Sequence, residues 1–238
     1  MVLKAHLFGS LSERERRKIS SMERIICVAI GYLFGLLQTG YLYGKTQHVD
    51  IRKEGSGNAG TTNALRTMGW KAGAITFLGD CFKCVLAVAA TYFIYGKTQA
   101  DIWPLLMMYT GAGVILGHNF PFYMKFKGGK GIAATSGVAL SLLLFPKHCW
   151  VFAVFGLITF ASVTLISKYV SLGSLVFITL FLIEFLAFGA AGWLPLTGSA
   201  KLEAYGILIC LTVLAYIRHR GNIGRLMHGT ERKIGHKA

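Results

Sequence analysis

The length of its apolar runs constrains this chain more than any other feature. Seven blocks, Ile25–Tyr43, Gly73–Tyr95, Ile102–Leu116, Ile132–Phe145, Cys149–Ile166, Val170–Gly192 and Ala204–Ile217, are nearly pure hydrocarbon. They do not alternate with polar residues as half-buried strands do. Runs of this kind close their backbone hydrogen bonds within helices and give their side chains to lipid. The chain is therefore expected to be all-α, a polytopic membrane protein with about seven transmembrane helices. Several blocks fall short of the ~20 residues a perpendicular span needs. That predicts short or broken helices bordering a hydrated cavity, or five full spans with re-entrant segments.

Charge gives a topology. Lys and Arg outnumber Asp and Glu by 25 to 10. In a soluble protein such an excess suggests nucleic acid, but no aromatic-interleaved basic face lies outside the blocks, so none is expected as a partner. If seven helices alternate, the connections after helices one, three, five and seven share a side. They carry five, three, one and six basic residues, and the other connections hold only Lys97, Lys147 and Lys201. The positive-inside rule then puts the first set, and the C-terminus, in the cytoplasm. Trp103, Trp150 and Trp193 fall at the opposite ends, as an aromatic belt would.

Residues 1–24 disagree with this topology, because they hold six basic residues on what should be the outer side. They read as an extension, disordered or beginning at a non-native start, with Met22 as the alternative start; residues 25–238 read as one membrane domain. The extension is not a signal peptide, since no small-residue cleavage site follows it. The five cysteines lie in or at apolar blocks. Cys81 and Cys84 form a C-x-x-C, but with no second pair they read as small buried residues.

Three polar segments interrupt the hydrocarbon, all on the basic side. The first is Gly55–Asn63 with Arg66: Ser56, Thr61 and Thr62 offer hydroxyls, Asn58 and Asn63 amides, and Gly55, Gly57 and Gly60 a close backbone approach. A run like this leading into a helix can cradle phosphate, and Arg66 adds a planar fork for an oxyanion. The second is Phe126–Gly131, where Lys130 stands at a helix start beside Gly128 and Gly129. It is not a Walker A loop, because Gly131 follows where Ser or Thr belongs. The third is Arg218–Arg225, in which His219, Asn222 and Arg225 share a face if the helix continues. Ser171, in the turn before the sixth block, adds a hydroxyl on the same side, with Ser174 as the other candidate. Each segment alone also fits an ordinary turn or a lipid-facing anchor.

Inside the apolar blocks, Asp80 and Lys83 stand at i, i+3, and Glu184 lies alone. An unpaired charge at bilayer centre costs about 3 kcal/mol. Asp80 and Lys83 are thus expected to pair or face the bundle interior as structural support for the cavity. His118 and His148 read as capping or interfacial, and no His/Asp/Glu cluster has metal spacing.

Taken together, Ser56-Gly57-Asn58-x-Gly60-x-Thr62-Asn63-x-x-Arg66, Lys127-Gly128-Gly129-Lys130-Gly131 and His219-Arg220-x-Asn222-Ile223-x-Arg225-Leu226 resemble the bacterial acyl-phosphate:glycerol-3-phosphate acyltransferases, the PlsY family. The resemblance covers about residues 25–235. It implies a multi-pass enzyme of the bacterial cell membrane that moves a fatty acyl group from acyl phosphate to the 1-hydroxyl of sn-glycerol 3-phosphate. The products are 1-acylglycerol 3-phosphate and phosphate, at the entry to phospholipid synthesis. By the same resemblance, Ser56, Asn58, Thr62, Gly128 and Lys130 cradle the acyl phosphate. Arg66, Lys130, Ser171, His219 and Asn222 clamp glycerol 3-phosphate, and Gly57, Asn63, Gly129 and Arg225 complete the substrate-binding set. No metal or other cofactor is implied, and neither acyl-CoA nor acyl-carrier protein is the donor. Coupling to the enzyme that makes acyl phosphate is left open. Two positions depart from the family pattern: Ala59 stands for the common proline, and Thr61 for a small residue. Neither removes a ligand group.

Acyl phosphate is already activated, so the task is positioning and charge stabilisation. Either His219 takes the hydroxyl proton, or the departing phosphate does. Two other classes compete: a transporter or channel for an anionic metabolite, against which the polar groups gather at one surface with no inverted repeat, and a scaffold on anionic lipid, which explains the cations but not Ser56, Asn58 or the paired glycines.

Overall fold

The computed structural model describes residues 13–145 and 149–234, with side chains from residue 21 onward. The expectations for residues 1–12, Lys147 and His148 lie outside these. Every described element is helical: α1 Glu13–Gly35, α2 Thr39–Thr46, α3 Thr61–Met68, α4 Trp70–Tyr95, α5 Trp103–Asn119, α6 Ile132–Ser141, α7 Trp150–Ser167, α8 Val170–Ala190, α9 Gly198–Arg218 and α10 Arg220–Met227. Short 3₁₀ turns follow α5 and α6 at Phe122–Met124 and Leu142–Leu144.

Each of the seven apolar blocks carries a helix. Five stretches, Ser21–Thr46, Trp70–Tyr95, Trp150–Ser167, Val170–Ala190 and Gly198–Arg218, are long and apolar enough to cross a membrane. The other two are the short ones: α5 has 17 residues and α6 has 10. The count of seven is thus approximate as a count of spans.

The short α5 is the centre of the bundle, buried from Trp103 to Asn119 at nearly every position. A helix enclosed on all sides is apolar all round, which is why its sequence shows no amphipathic stripe. Longer helices surround it and turn Leu33, Phe93, Leu157 and Ile166 outward, as side chains facing lipid would be. Phe152 of α7 meets Phe181, Phe185 and Phe188 of α8 and ties that pair together.

The most extensive helix packing among the described residues is between α1 and α5. Gly31 and Gly35 face Gly113 and Gly117, two small-xxx-small pairs set against each other. A Cβ at any of the four would overlap a carbonyl oxygen of the opposite helix, at Thr110, Val114, Val28 and Tyr32 respectively. Where lipid tails are as apolar as leucine, such backbone approach supplies association that hydrophobicity cannot.

The chain breaks between Gly35 and Thr39, and side chains collect the carbonyls released there. Lys83 Nζ donates to Leu37 O at 2.6 Å and Gly35 O at 3.3 Å, and Tyr123 Oη to Leu36 O at 2.6 Å. Gln38, fully buried, donates to Gly35 O and His118 O. Irregular backbone within a membrane protein survives only with such partners.

Candidate active site

At the end of the bundle where α1 breaks, the three polar segments close around one cavity. Its wall includes Ser56, Asn58, Thr61, Thr62, Arg66, Asp80, His118, Lys130, Ser171, Ser174, His219, Asn222, Arg225 and Glu231, with Phe77, Ile132, Phe160 and Val170 as the apolar part. Residues separated by up to 175 positions in sequence therefore share one space, whose polar side carries three fixed cations.

Asn58 builds the first segment. Its oxygen accepts from Gly60 N at 2.9 Å, an Asx turn that ends at the start of α3, and its amide donates to Gly128 O at 3.3 Å. Asn63 braces the same loop from beneath, accepting from Ser56 N at 2.9 Å and donating to Ile51 O and Glu54 O. The side chain of Asn63, at 2% exposure, is thus spent on its own loop. Gly57 turns that loop with a φ of +68° but is not among the cavity-lining residues.

The second segment is held from three sides. Gly128 N and Gly129 N donate to Asn119 O and His118 O, both at 3.1 Å. Arg218 Nη2 donates to Gly128 O at 3.0 Å and Gly129 O at 2.9 Å. The paired glycines are required because His118 presses against them: a Cβ on Gly129 would strike its ring, and one on Gly128 its carbonyl. Gly131, at φ +86°, makes the left-handed turn into α6, which leaves Lys130 pointing into the cavity. Gly128 and Gly129 are buried behind Lys130 and do not line the space themselves.

The third segment does not continue as one straight helix. α9 stops at His219 and α10 resumes at Arg220, yet His219, Asn222 and Arg225 all reach the cavity. His219 Nδ1 lies 2.8 Å from Ala215 O, which can only accept, so Nδ1 carries the proton and Nε2 is left for the cavity. Lys130 Nζ donates to Asn222 Oδ1, joining the second and third segments. Of the two serine candidates, Ser174 donates to Val170 O at 2.9 Å, whereas Ser171 turns its hydroxyl into the polar cluster.

Its acceptor there is Glu231, a residue that sequence reasoning missed. The Glu231 carboxylate receives hydrogen bonds from Ser171 Oγ at 3.0 Å, Asn222 Nδ2 at 2.7 Å and Arg225 Nε at 2.7 Å. The segment carrying it folds back over the α7–α8 turn, where Ile234 N donates to Lys168 O at 2.8 Å, and Arg66 Nη2 donates to Arg232 O at 2.9 Å. The available signal was that Glu231 is the only acid in the basic run 218–238.

At the cavity wall Asp80 pairs with Lys83 at 2.9 Å, both almost fully buried. His118 departs from its expected place. It is not an interfacial cap but a buried member of this network, its Nδ1 2.9 Å from Lys83 Nζ.

Electrostatics follow from enclosure. Burial, with Arg225, Arg218 and Arg66 nearby, lowers the Lys130 pKa to about 8 against an opposing pull from Glu231. Burial and Lys130 lower His219 to about 4. Burial also lowers Arg66. At Glu231 burial acts to raise the pKa, but hydrogen bonds from Asn222, Arg225 and Ser171 outweigh it and hold the carboxyl below its ordinary value. Three cations crowded with so little counter-charge make a site suited to more than one phosphate.

Known proteins resemble this chain in sequence and in fold. Residues 25–229 match the family model described as glycerol-3-phosphate acyltransferase. A protein of Clostridioides difficile (strain 630) with that name is 41% identical over 217 residues, covering 90% of this chain and 96% of the relative. One from Thermoanaerobacter sp. (strain X514) is 38% identical over 220 residues, covering 91% and 98%. Among solved structures, PlsY (YgiH), described as an integral membrane glycerol 3-phosphate acyltransferase in its glycerol 3-phosphate form, superposes with a TM-score of 0.73. It is 30% identical and covers 89% of this chain and 96% of that one. The lysophosphatidic acid form gives 0.71 at the same identity. With a family model matched over most of its length, and with fold and sequence in common with these proteins, this chain belongs to the glycerol-3-phosphate acyltransferase family.

Proposed function

We infer that this chain acylates glycerol 3-phosphate, as its relatives are named for doing, and we propose acyl phosphate as the donor. The observation that carries this reading is the single cavity shared by Arg66, Lys130 and Arg225. Two phosphates brought together repel, and fixed cations in an enclosed site offset that repulsion without reorganising. The cavity's end of the bundle is assigned to the cytoplasm by the excess of Lys and Arg there. The transporter reading draws no support from the relatives described above, which are named as acyltransferases.

The residues divide as follows. Ser56, Asn58 and Thr62 receive the acyl phosphate, with Gly128 and Gly129, behind the cavity wall, holding Lys130 in place. Arg66, Ser171, His219, Asn222 and Arg225 receive glycerol 3-phosphate, and Lys130 stands between the two. Gly57 shapes the first loop without lining the cavity, and Asn63 both braces that loop and forms part of the cavity wall. The acceptor oxygen attacks the carbonyl carbon, the bond from that carbon to the phosphate oxygen breaks, and the hydroxyl proton passes to the departing phosphate. A histidine whose pKa is about 4 is a weak proton acceptor, which favours the phosphate over His219 as that acceptor. Lys130 stabilises the developing oxyanion.

The test is phosphate release by the purified chain in detergent, with palmitoyl phosphate and glycerol 3-phosphate supplied together and singly. Release that needs both supports the reading. Faster acylation from acyl-CoA overturns the assigned donor.

A further inference from the structure

Two buried oxygens on residues of the cavity wall, Thr61 Oγ1 and Asp80 Oδ2, are left without a partner among the described residues and without a role by the assignments above. Of these only Asp80 Oδ2 belongs to a carboxylate, which needs a donor from elsewhere. Asp80 is 1% exposed. Its Oδ1 accepts from Lys83 Nζ at 2.9 Å and from Thr39 Oγ1 at 3.0 Å. Its Oδ2 accepts from nothing among the described residues, although Asp80 lines the cavity together with His118 and Lys130. Buried polar atoms are nearly always hydrogen-bonded, and an ionised carboxylate can only accept. The Oδ2 atom therefore calls for a donor from whatever fills the cavity.

The cavity is polarised. On the side of the polar segments Arg66, Lys130 and Arg225 outnumber Glu231, which is paired with Arg225, and Asp80 supplies negative charge from α4. A phosphate dianion belongs with the cations and is repelled by Asp80. The reacting hydroxyl must lie beside the acyl carbonyl, where a second negative charge opposes the developing oxyanion. Resting on the acyltransferase reading, one donor of glycerol 3-phosphate is left, the hydroxyl on C2. We propose that Asp80 Oδ2 accepts the hydrogen bond of this C2 hydroxyl and makes Asp80 a specificity-determining residue for the acceptor. Lys83 is the positioning residue: it neutralises the carboxylate, fixes Oδ1, and is itself held by the Gly35 and Leu37 carbonyls and His118. A third contact beside the phosphate and the reacting hydroxyl also distinguishes sn-glycerol 3-phosphate from its mirror image.

The experiment compares kcat/KM for glycerol 3-phosphate with that for 1,3-propanediol monophosphate, which keeps the phosphate and a primary hydroxyl but lacks the C2 hydroxyl. The wild type is expected to favour glycerol 3-phosphate by roughly 10- to 100-fold, the size of a lost hydrogen bond to a buried charge. In Asp80→Ala that preference should collapse to within about threefold. Because this variant leaves Lys83 unpaired, Asp80→Leu combined with Lys83→Met removes both charges for apolar groups of similar size, a change that buried pairs often tolerate. A merely structural Asp80 would lower both acceptors together, so an unchanged ratio in either folded variant overturns the proposal. So does a wild type that treats the two acceptors alike, whether or not the variants fold. A wild type that acylates neither acceptor overturns the acyltransferase reading itself, and this inference with it.

Discussion

Lys130 and Asn222, 92 residues apart, are joined by a hydrogen bond from the Lys130 ammonium to the Asn222 side-chain oxygen. The bond makes the second and third segments one surface. Lys130→Met should lower kcat by roughly 10²- to 10³-fold, the usual cost of removing one charge-stabilising donor. Lys127→Met, whose side chain is exposed, should leave the rate within about twofold. Phosphate release in detergent reads both.

The free enzyme should have an alkaline limb. Lys130 is charged below its pKa of about 8 and neutral above it, so kcat/KM for glycerol 3-phosphate should fall as the pH rises through that value. His219, lowered to about 4, is neutral across the neutral range. An acid limb near pH 6 would instead belong to the second ionisation of the substrate phosphate, as about 6 is usual for a phosphate monoester. It should survive in His219→Gln. Loss of the acid limb in that variant would make His219 the titrating base.

Glu231 should be felt through Lys130. Its carboxylate opposes the lowering of the Lys130 pKa and holds Ser171, Asn222 and Arg225. Glu231→Gln removes the charge and one good acceptor, so the alkaline limb should move to lower pH, with kcat/KM down roughly 10-fold at pH 7. A pH–rate profile that keeps its alkaline limb in place would separate Glu231 from Lys130.

The glycine seam between α1 and α5 sets stability. Gly117→Val places a branched side chain against Tyr32 O and should cost at least about 3 kcal/mol, seen as a lower Tm in detergent. Gly206→Ala on α9 meets nothing within 4 Å. It should be neutral or stabilising by about 0.5–1 kcal/mol, because a helical glycine carries that entropic cost.

Much of this architecture was legible because bilayers impose simple rules. Every apolar block carries a helix, and the basic segments gather at one end. Two of the short blocks, those of α5 and α6, are enclosed, while Ala204–Ile217 belongs to the longer, lipid-facing α9. Asp80 and Lys83 pair because three residues separate them, which sequence alone shows. Glu231 escaped because its Ser171 partner is 60 residues away. His118 was misplaced for the same reason, since Lys83 lies 35 residues before it. Arg218 reads as a membrane-surface anchor until its guanidinium is seen between two carbonyls of a loop 89 and 90 residues earlier. The α1–α5 seam was not read from the sequence: Gly31-x-x-x-Gly35 and Gly113-x-x-x-Gly117 stand there, but a pattern of small residues does not name its partner helix.

The break between Gly35 and Thr39 also bears on how the protein is made. A lysine and an aspartate each cost about 2.5–3.5 kcal/mol when a helix enters the bilayer from the translocon. Two of the carbonyls that receive Lys83, on Gly35 and Leu37, precede it by 48 and 46 residues, and Asp80 precedes it by three. A ribosome delivers these partners first, so α1 and α4 can leave the translocon as a charge-compensated hairpin. When α5 follows, the glycines it must meet on α1 are already in the membrane.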